Sequence, residues 1–152
     1  MENNGSSLWQ IYQAVKFTPF KVEKKASSFT LILSVWNAFG QIKSKQQNRV
    51  LEQRIFQHLR QNNIKYTLLW GGSENMYYRE LTIAFEVNNL NAAKRYAKFA
   101  KQKAFYVVKN KALYLVKTIG RQKPLKLAHI NKHTKCYPLK FLKFEENQAL
   151  AE

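Results

Sequence analysis

The sequence contains no aspartate, and its nine acidic residues are all glutamate. The carboxylate clusters that hold Mg²⁺ in nucleases and polymerases would therefore have to be built from Glu alone, and no suitable pair is evident. A single cysteine, Cys136, excludes an intramolecular disulfide framework and a Cys-rich zinc fold. No catalytic residue, metal ion or cofactor is predicted, and the sequence favours a protein that is not an enzyme.

Long apolar runs are missing as well. The longest, residues 29–36, is far too short to span a bilayer, so no transmembrane segment is expected. The first four residues, Met1 to Asn4, lack the basic start and apolar block of a secretory signal. These absences predict a cytoplasmic protein.

The composition is that of a folded chain. Hydrophobic residues make up 45% and aromatic residues 14% of the 152 positions, which excludes a disordered basic tail protein. The length suits one compact domain with an appended arm. We expect a flexible N-terminus over residues 1–7, a single α+β domain over 8–119 and a basic C-terminal arm over 120–152.

Positive charge is abundant and unevenly distributed. Lys and Arg number 26, the formal net charge is +17, and no acidic residue lies between Glu86 and Glu145. An A+T-rich codon bias would raise Lys, but it would raise Asp and Glu too, so it does not explain the imbalance. Clustered like charges repel one another, and a polyanion relieves that repulsion. Nucleic acid is the commonest intracellular polyanion, and its binding releases counterions.

Lys greatly outnumbers Arg, which favours tracking of the phosphate backbone over reading of base edges. We therefore predict a nucleic-acid-binding protein, with RNA or single strands ahead of duplex DNA. Its predicted contact residues lie on the helix predicted over 90–102, on the hairpin that follows it and on the arm: Lys94, Arg95, Lys98, Lys101, Lys103, Lys109, Lys111, Arg121, Lys123, Lys126, Lys132, Lys135, Lys140 and Lys143.

Hydrophobic periodicity places the secondary structure. The predicted helices cover 8–15, 46–62 and 90–102, and the predicted strands cover 17–22, 29–36, 66–70, 79–87, 104–108 and 112–117. Ser44 and Gln47 form a capping-box pattern before the second helix, and Asn88-Asn89 precede the third. The order of the main elements predicts a ferredoxin-like split βαβ fold, a mostly antiparallel sheet with two main helices on one face.

Several short motifs resemble a family of short bacterial proteins known as domain of unknown function 3293. The matching positions are Trp36-Asn37, Asn48, Gly71-Gly72, Glu80 and Gln102. The resemblance covers about residues 8–117 and leaves the arm outside. Ala38 stands where the family usually has Pro, and Tyr78 stands where it has Trp. The resemblance implies no established activity.

The motif residues also have a direct physical interpretation. Trp36 and Asn37 follow a central strand, Asn48 lies in the first turn of the next helix, and Glu80 begins a neighbouring strand. If they converge, they form either a polar pocket for a small ligand or substrate, or a network that holds the strand–helix turn. The sequence favours the network. A third reading is a protein-interaction or inhibitor module that docks on an acidic or nucleic-acid-binding partner.

Two other sequence patterns are weaker indications of a site. His129, His133 and Cys136 have helical spacing for metal ligands, but Lys132 and Lys135 beside them oppose cation binding. The aromatic residues Tyr77, Tyr78, Tyr106 and Tyr114 are candidates for stacking on bases, although packing is the better expectation for them.

Overall fold

The chain folds as three α-helices and a seven-stranded sheet in a computed structural model that describes residues 4–21 and 28–138. The helices are α1 (Asn4–Gln13), α2 (Lys45–Gln61) and α3 (Leu90–Phe99). The strands are β1 (Lys16–Phe17), β2 (Phe29–Ser34), β3 (Thr67–Gly72), β4 (Arg79–Val87), β5 (Ala104–Lys109), β6 (Ala112–Lys117) and β7 (Leu125–His129). Short 3₁₀ turns cover Ala38–Gly40 and Ile130–His133.

The strands lie in the order β1-β3-β4-β2-β5-β6-β7, and every neighbouring pair is antiparallel. The predicted α+β class and the mostly antiparallel sheet are confirmed. The alternating residues 79–87 form β4 with the predicted bounds, because one face of that strand is apolar throughout.

Two apolar clusters cover the two faces of the sheet. On one face, Leu31 and Leu33 of β2 belong to the same cluster as Leu51 and Ile55 of α2 and Ala97 of α3. Helices α2 and α3 therefore pack on this face. The neighbouring strand residue Ile32 belongs instead to the second cluster, with the buried side chains of Phe17, Leu69, Leu113 and Ile130. This arrangement explains why β2 is apolar at successive positions.

The sheet is curled, and its two edges are linked by the chain that follows β7. Thr134 forms an isolated parallel bridge with Phe17 of β1. The backbone N–H of Lys135 donates to the carbonyl oxygen of Phe17 at 3.0 Å. Ile130, buried in the second cluster, fixes the same segment from inside.

Part of the predicted basic arm is thus a component of the sheet. Residues 125–129 form β7, which pairs with β6, although this segment was expected to lie outside the domain. The lysine and the histidine of this segment interrupt the apolar pattern that would predict a strand. An edge strand with an exposed face tolerates such side chains. Lys140 and Lys143 of the arm lie outside the described residues, as does Val22 at the end of the predicted strand 17–22.

The structure also corrects the end of β3. The strand was expected to stop before Gly71-Gly72, but it includes both glycines. A Cβ atom on Gly71 would lie 3.1 Å from the Phe17 ring, and one on Gly72 would lie 2.0 Å from the Tyr78 carbonyl oxygen. The glycines therefore allow close approach of backbone and ring within a strand, rather than ending it.

The helix boundaries follow from capping. Ser44 Oγ accepts from the Gln47 backbone N–H, and Gln47 Oε1 accepts from the Ser44 N–H, each at 3.1 Å, so the predicted capping box is confirmed. Asn89 Oδ1 caps α3 by accepting from Ala92 N–H at 2.8 Å. α3 ends at Phe99, earlier than expected, because Lys101 adopts a left-handed backbone conformation with φ of 56°.

Candidate functional site

Asn37 and Asn48 bind each other at the junction between β2 and α2. The Asn37 backbone N–H donates to Asn48 Oδ1 at 2.7 Å, and Asn48 Nδ2 donates to Asn37 Oδ1 at 3.2 Å. Asn48 is buried in the first turn of α2, on the apolar side that also carries Leu51 and Ile55. The helix therefore presents this amide to the end of β2.

Glu80 joins the same group from β4. Its carboxylate accepts from Ser34 Oγ at 2.5 Å, from Asn37 Nδ2 at 3.1 Å and from the Tyr78 hydroxyl. Ser34 reaches it because β2 and β4 are neighbours in the sheet. The Glu80 oxygens thus use neutral donors from three different elements.

Trp36 is tied to the end of α3. Gln102 Nε2 donates to the Trp36 carbonyl oxygen at 2.8 Å and to the Ala100 carbonyl oxygen at 3.1 Å. The Trp36 ring packs edge-on against Trp70, with ring centroids 5.4 Å apart. Its indole N–H is buried and has no hydrogen-bond partner among the described residues.

The structure therefore brings together the predicted residues Trp36, Asn37, Asn48 and Glu80. We call them, with their partners Ser34, Tyr78 and Gln102, the turn network. Gly71, another position of the family resemblance, lies directly across from Glu80 in the β3–β4 ladder.

Two tyrosines beside Glu80 keep their protons far above neutral pH. Burial, and secondarily the Glu80 carboxylate, raises the pKa of Tyr12 to about 12. Burial and the same carboxylate raise the pKa of Tyr78 further. Both hydroxyls therefore stay protonated and are poor general bases at neutral pH.

The turn network fixes an unusual backbone conformation. Asn37 and Phe39 have φ values of 55° and 60°, in the left-handed region that bulky residues rarely adopt. Asn37 Oδ1 accepts from the Lys43 N–H at 2.9 Å, and the Phe39 N–H donates to the Lys101 carbonyl oxygen at 2.7 Å. These bonds hold a turn in which the Phe39 side chain remains 52% exposed.

Phe39 forms part of the wall of an open cavity of about 390 Å³, which we call the lysine groove. The groove lies between α1, the turn at 38–40, the end of α3 and the open end of the β5–β6 hairpin. Its aromatic lining residues are Trp9, Tyr12 and Phe39, and its basic lining residues are Lys98, Lys101, Lys103 and Lys117.

The lysine groove is electropositive. No acidic residue of the described chain lines it. The Lys117 ammonium lies 4.8 Å from the centroid of the Trp9 ring, a cation–π distance. The other three lysines are exposed, and no described carboxylate forms an ion pair with them. Within the part of the chain that the structure describes, these three charges have no anionic partner.

The groove also contains a buried hydroxyl. Thr118 is only 3% exposed, and its Oγ1 has no hydrogen-bond partner among the residues that the structure describes. At the margin of the groove, Lys94 Nζ donates to the Gly120 carbonyl oxygen at 3.1 Å. An unpaired buried hydroxyl is uncommon in proteins.

The other predicted basic residues lie elsewhere. Arg95 lines a separate cavity with His58 and Glu86. Lys109 and Lys111 lie at the turn end of the β5–β6 hairpin, with the Lys109 ammonium 4.4 Å from the Phe29 ring centroid. The remaining ones are spread over the chain after β6: Arg121 and Lys123 in the connection to β7, Lys126 on β7, Lys132 in the last 3₁₀ turn, and Lys135 beside β1.

Lys135 differs from the groove lysines because it already has an anionic partner. Its ammonium lies 3.2 Å from a Glu74 oxygen, and Lys16 lies 3.7 Å from the other oxygen of the same carboxylate. The two ammonium groups lower the pKa of Glu74, chiefly through the hydrogen bond from Lys135.

No local sequence pattern indicates that Trp9, Tyr12, Phe39 and Lys117 are neighbours. Trp9 and Tyr12 have helical spacing, but only the tertiary structure brings them to the end of β6. Among the tyrosines considered for stacking, Tyr106 packs edge-on against Phe17 at 5.2 Å and donates to the Tyr12 carbonyl oxygen. Tyr78 belongs to the turn network, whereas Tyr77 is 85% exposed.

The described residues form neither a metal-binding cluster nor a membrane-spanning helix. They contain no group of three metal-ligating side chains placed to hold an ion. His133 Nδ1 instead lies 2.8 Å from the Val15 carbonyl oxygen. None of the described helices is both long and apolar enough to cross a bilayer.

Comparison with other proteins gave no match: no family model, no curated protein and no solved structure is similar enough to this chain to indicate its family or its activity.

Proposed function

We propose that this protein is a non-enzymatic nucleic-acid-binding protein that contacts the phosphate backbone through the lysine groove. The observation that supports the proposal is the meeting of four lysines and three aromatic residues around one cavity that no acidic residue of the described ranges lines. RNA and single strands remain ahead of duplex DNA. Electrostatic attraction to phosphate needs this kind of local positive charge, and aromatic lining is typical of single-strand sites.

The chemistry of lysine supports backbone recognition. An ammonium on a flexible stem interacts with phosphate as a point charge and carries little base specificity. Each phosphate contact releases counterions, so the affinity should fall steeply as salt rises. Lys94 Nζ contacts the carbonyl oxygen of Gly120, which directly follows the groove residue Ile119. We propose that Lys94, with Arg121 and Lys123 of the same stretch of chain, extends the positive surface beyond the groove.

The test is a salt titration of binding to a fluorescent single-stranded oligonucleotide. We compare the variant Lys98→Gln/Lys103→Gln with the control Lys109→Gln/Lys111→Gln, which removes the same charge from the opposite end of the hairpin. The groove variant should reduce the slope of log K against log salt by about two, whereas the control should change it much less.

Equal losses in both variants would show that net charge alone attracts the nucleic acid, and they would overturn the assignment to the groove. Absence of binding by the native protein at low salt would overturn the function itself. Capture of one acidic protein, insensitive to nuclease, would instead support the interaction-module reading.

For the turn network we propose a structural role rather than a ligand pocket. The Asn37, Asn48 and Glu80 side chains use their polar atoms within the network. The buried indole N–H of Trp36 is a feature that favours a ligand. It is outweighed by the internal bonds, because a satisfied polar network stabilises the structure that contains it.

We also propose that the segment from β2 to β5 is a split βαβ unit of the ferredoxin-like kind. The order β3-β4-β2-β5 supports this, because β4 lies between the two strands that α2 connects. Membership of the domain of unknown function 3293 family is a related proposal. Its support is that the residues of the resemblance, Trp36-Asn37, Asn48, Glu80 and Gln102, are linked by hydrogen bonds.

A further inference from the structure

We infer that the lysine groove seats one unpaired nucleotide, with its base stacked on Phe39 and its phosphate among Lys98, Lys101 and Lys103. The inference rests on the proposed function and makes it more specific. It assigns the aromatic part of the groove to the base and the basic part to the backbone.

Phe39 is the residue that most strongly indicates a binding site in the groove. Phe39 is 52% exposed as a residue although its backbone has a φ of 60°, a conformation that is unfavourable for a bulky residue. Strained residues persist only where the surroundings hold them, and they concentrate at functional positions. Here the Lys101 carbonyl oxygen binds the Phe39 N–H, and the adjoining turn network fixes Asn37.

The same contacts place cations beside the exposed ring. Lys101 carries both the carbonyl that binds Phe39 and an exposed ammonium stem. A Cβ atom on Gly40 would lie 3.6 Å from Lys103 Cδ, so the Lys103 stem runs along the turn next to Phe39. When a base stacks on the Phe39 ring, the phosphate of the same nucleotide therefore lies within reach of the Lys101 and Lys103 ammonium groups.

The concave shape explains why the nucleotide should be unpaired. In a duplex, neighbouring bases cover both faces of each base, whereas a single strand offers free faces to aromatic side chains. A volume of about 390 Å³ lies in the range of sites that enclose one small ligand.

The experiment uses three labelled probes of equal length: a single-stranded oligodeoxynucleotide, the same chain with abasic sites throughout, and a duplex. The native protein should bind the base-bearing strand about tenfold more tightly than the abasic strand, the gain expected from one stacked base. Phe39→Ala should remove this preference and leave the affinity for the abasic strand unchanged. Phe39→Trp should keep the preference, because an indole ring also stacks on bases. The unchanged affinity of Phe39→Ala for the abasic strand excludes a general loss of folding.

Tyr77→Ala is the matched control, because Tyr77 is 85% exposed and does not line the groove. It should keep the preference for bases. Equal native affinity for the base-bearing and abasic strands would overturn the stacking inference while leaving backbone binding intact. Tighter binding of the duplex, or loss of the preference in Tyr77→Ala, would also overturn it. No binding of any probe would instead reject the proposed function.

Discussion

The turn network and the lysine groove are neighbours with opposite electrostatic character. In the network, the Glu80 carboxylate receives hydrogen bonds from Ser34, Asn37 and Tyr78. In the groove, the exposed ammonium groups of Lys98 and Lys103 form no ion pair with a described carboxylate. The charged group of the network is thus hydrogen-bonded within it, whereas these groove lysines have no anionic partner among the described residues. Polar residues brought together by a fold therefore need not indicate a binding site.

The two regions meet at the turn and at Tyr12. Tyr12 lines the groove, and the Glu80 carboxylate contributes to its raised pKa. The turn begins at Asn37 in the network and continues to Phe39 and Gly40 beside the groove. The network thus holds one wall of the groove. We expect substitutions in the network to lower stability and substitutions of the groove lysines to lower binding.

The largest expected effect is on stability, from Asn48→Ala. The substitution leaves the buried Asn37 N–H without its acceptor and removes a second hydrogen bond. We expect the free energy of unfolding, measured by urea denaturation, to fall by about 2–3 kcal/mol.

Gln53→Ala is the control for Asn48→Ala, since Gln53 is an exposed residue of the same helix. Its unfolding free energy should stay within about 0.5 kcal/mol of the native value. If Asn48→Ala changed the free energy of unfolding as little as Gln53→Ala, the network would not have a structural role, and the ligand-pocket interpretation would be favoured.

A smaller effect is expected at alkaline pH. The pKa of Tyr12 rises from its ordinary value of 10.0 to about 12 in the folded protein. The unfolded chain therefore releases this proton first, and the stabilisation it provides is complete below pH 10 and is lost as the pH rises toward 12. Thermal melts across that range should show a shallower loss for Tyr12→Phe than for the native protein. Parallel curves would contradict the assigned environment of Tyr12.

Lys140 and Lys143 test whether binding extends to the residues beyond 138. The double variant Lys140→Gln/Lys143→Gln is made in the full chain, because a truncation after Gly120 would also remove β7. We expect the salt slope of oligonucleotide binding to fall by less than the value of about two that applies to the groove pair. A larger fall would move the main interface from the groove to the C-terminal residues.

The smallest expected effect is that of Lys98→Gln/Lys103→Gln on stability. Both lysines are exposed, so the unfolding free energy should change by less than about 0.5 kcal/mol while binding weakens. A large loss of stability would mean that these lysines support the fold, and the contrast with the network would fail.

Sequence reasoning was most successful where local patterns decide the structure. The capping box at Ser44 and the alternation in 79–87 lead directly to α2 and β4. The order of strands and helices also predicted that Asn37, Asn48 and Glu80 converge, because each of them follows or begins one of several neighbouring elements.

The rest depends on contacts between distant parts of the chain. β7 is held by β6 and by the link from Thr134 to Phe17, neither of which leaves a local pattern. The groove combines α1 with the end of β6, more than one hundred positions apart, so Trp9 and Lys117 share no sequence signal. The basic residues 87–144 look uniform in the sequence, but the fold separates them into groups with different surroundings.

Photocrosslinking gives the most direct test of the groove as the nucleic-acid interface. The native protein is irradiated with a single-stranded oligonucleotide that carries a photoreactive base, and the linked peptides are identified by mass spectrometry. Crosslinks should concentrate on peptides that contain Trp9, Tyr12 or Phe39. Crosslinks confined to Tyr77 or to the hairpin turn at Asn110, with none in the groove, would contradict the account.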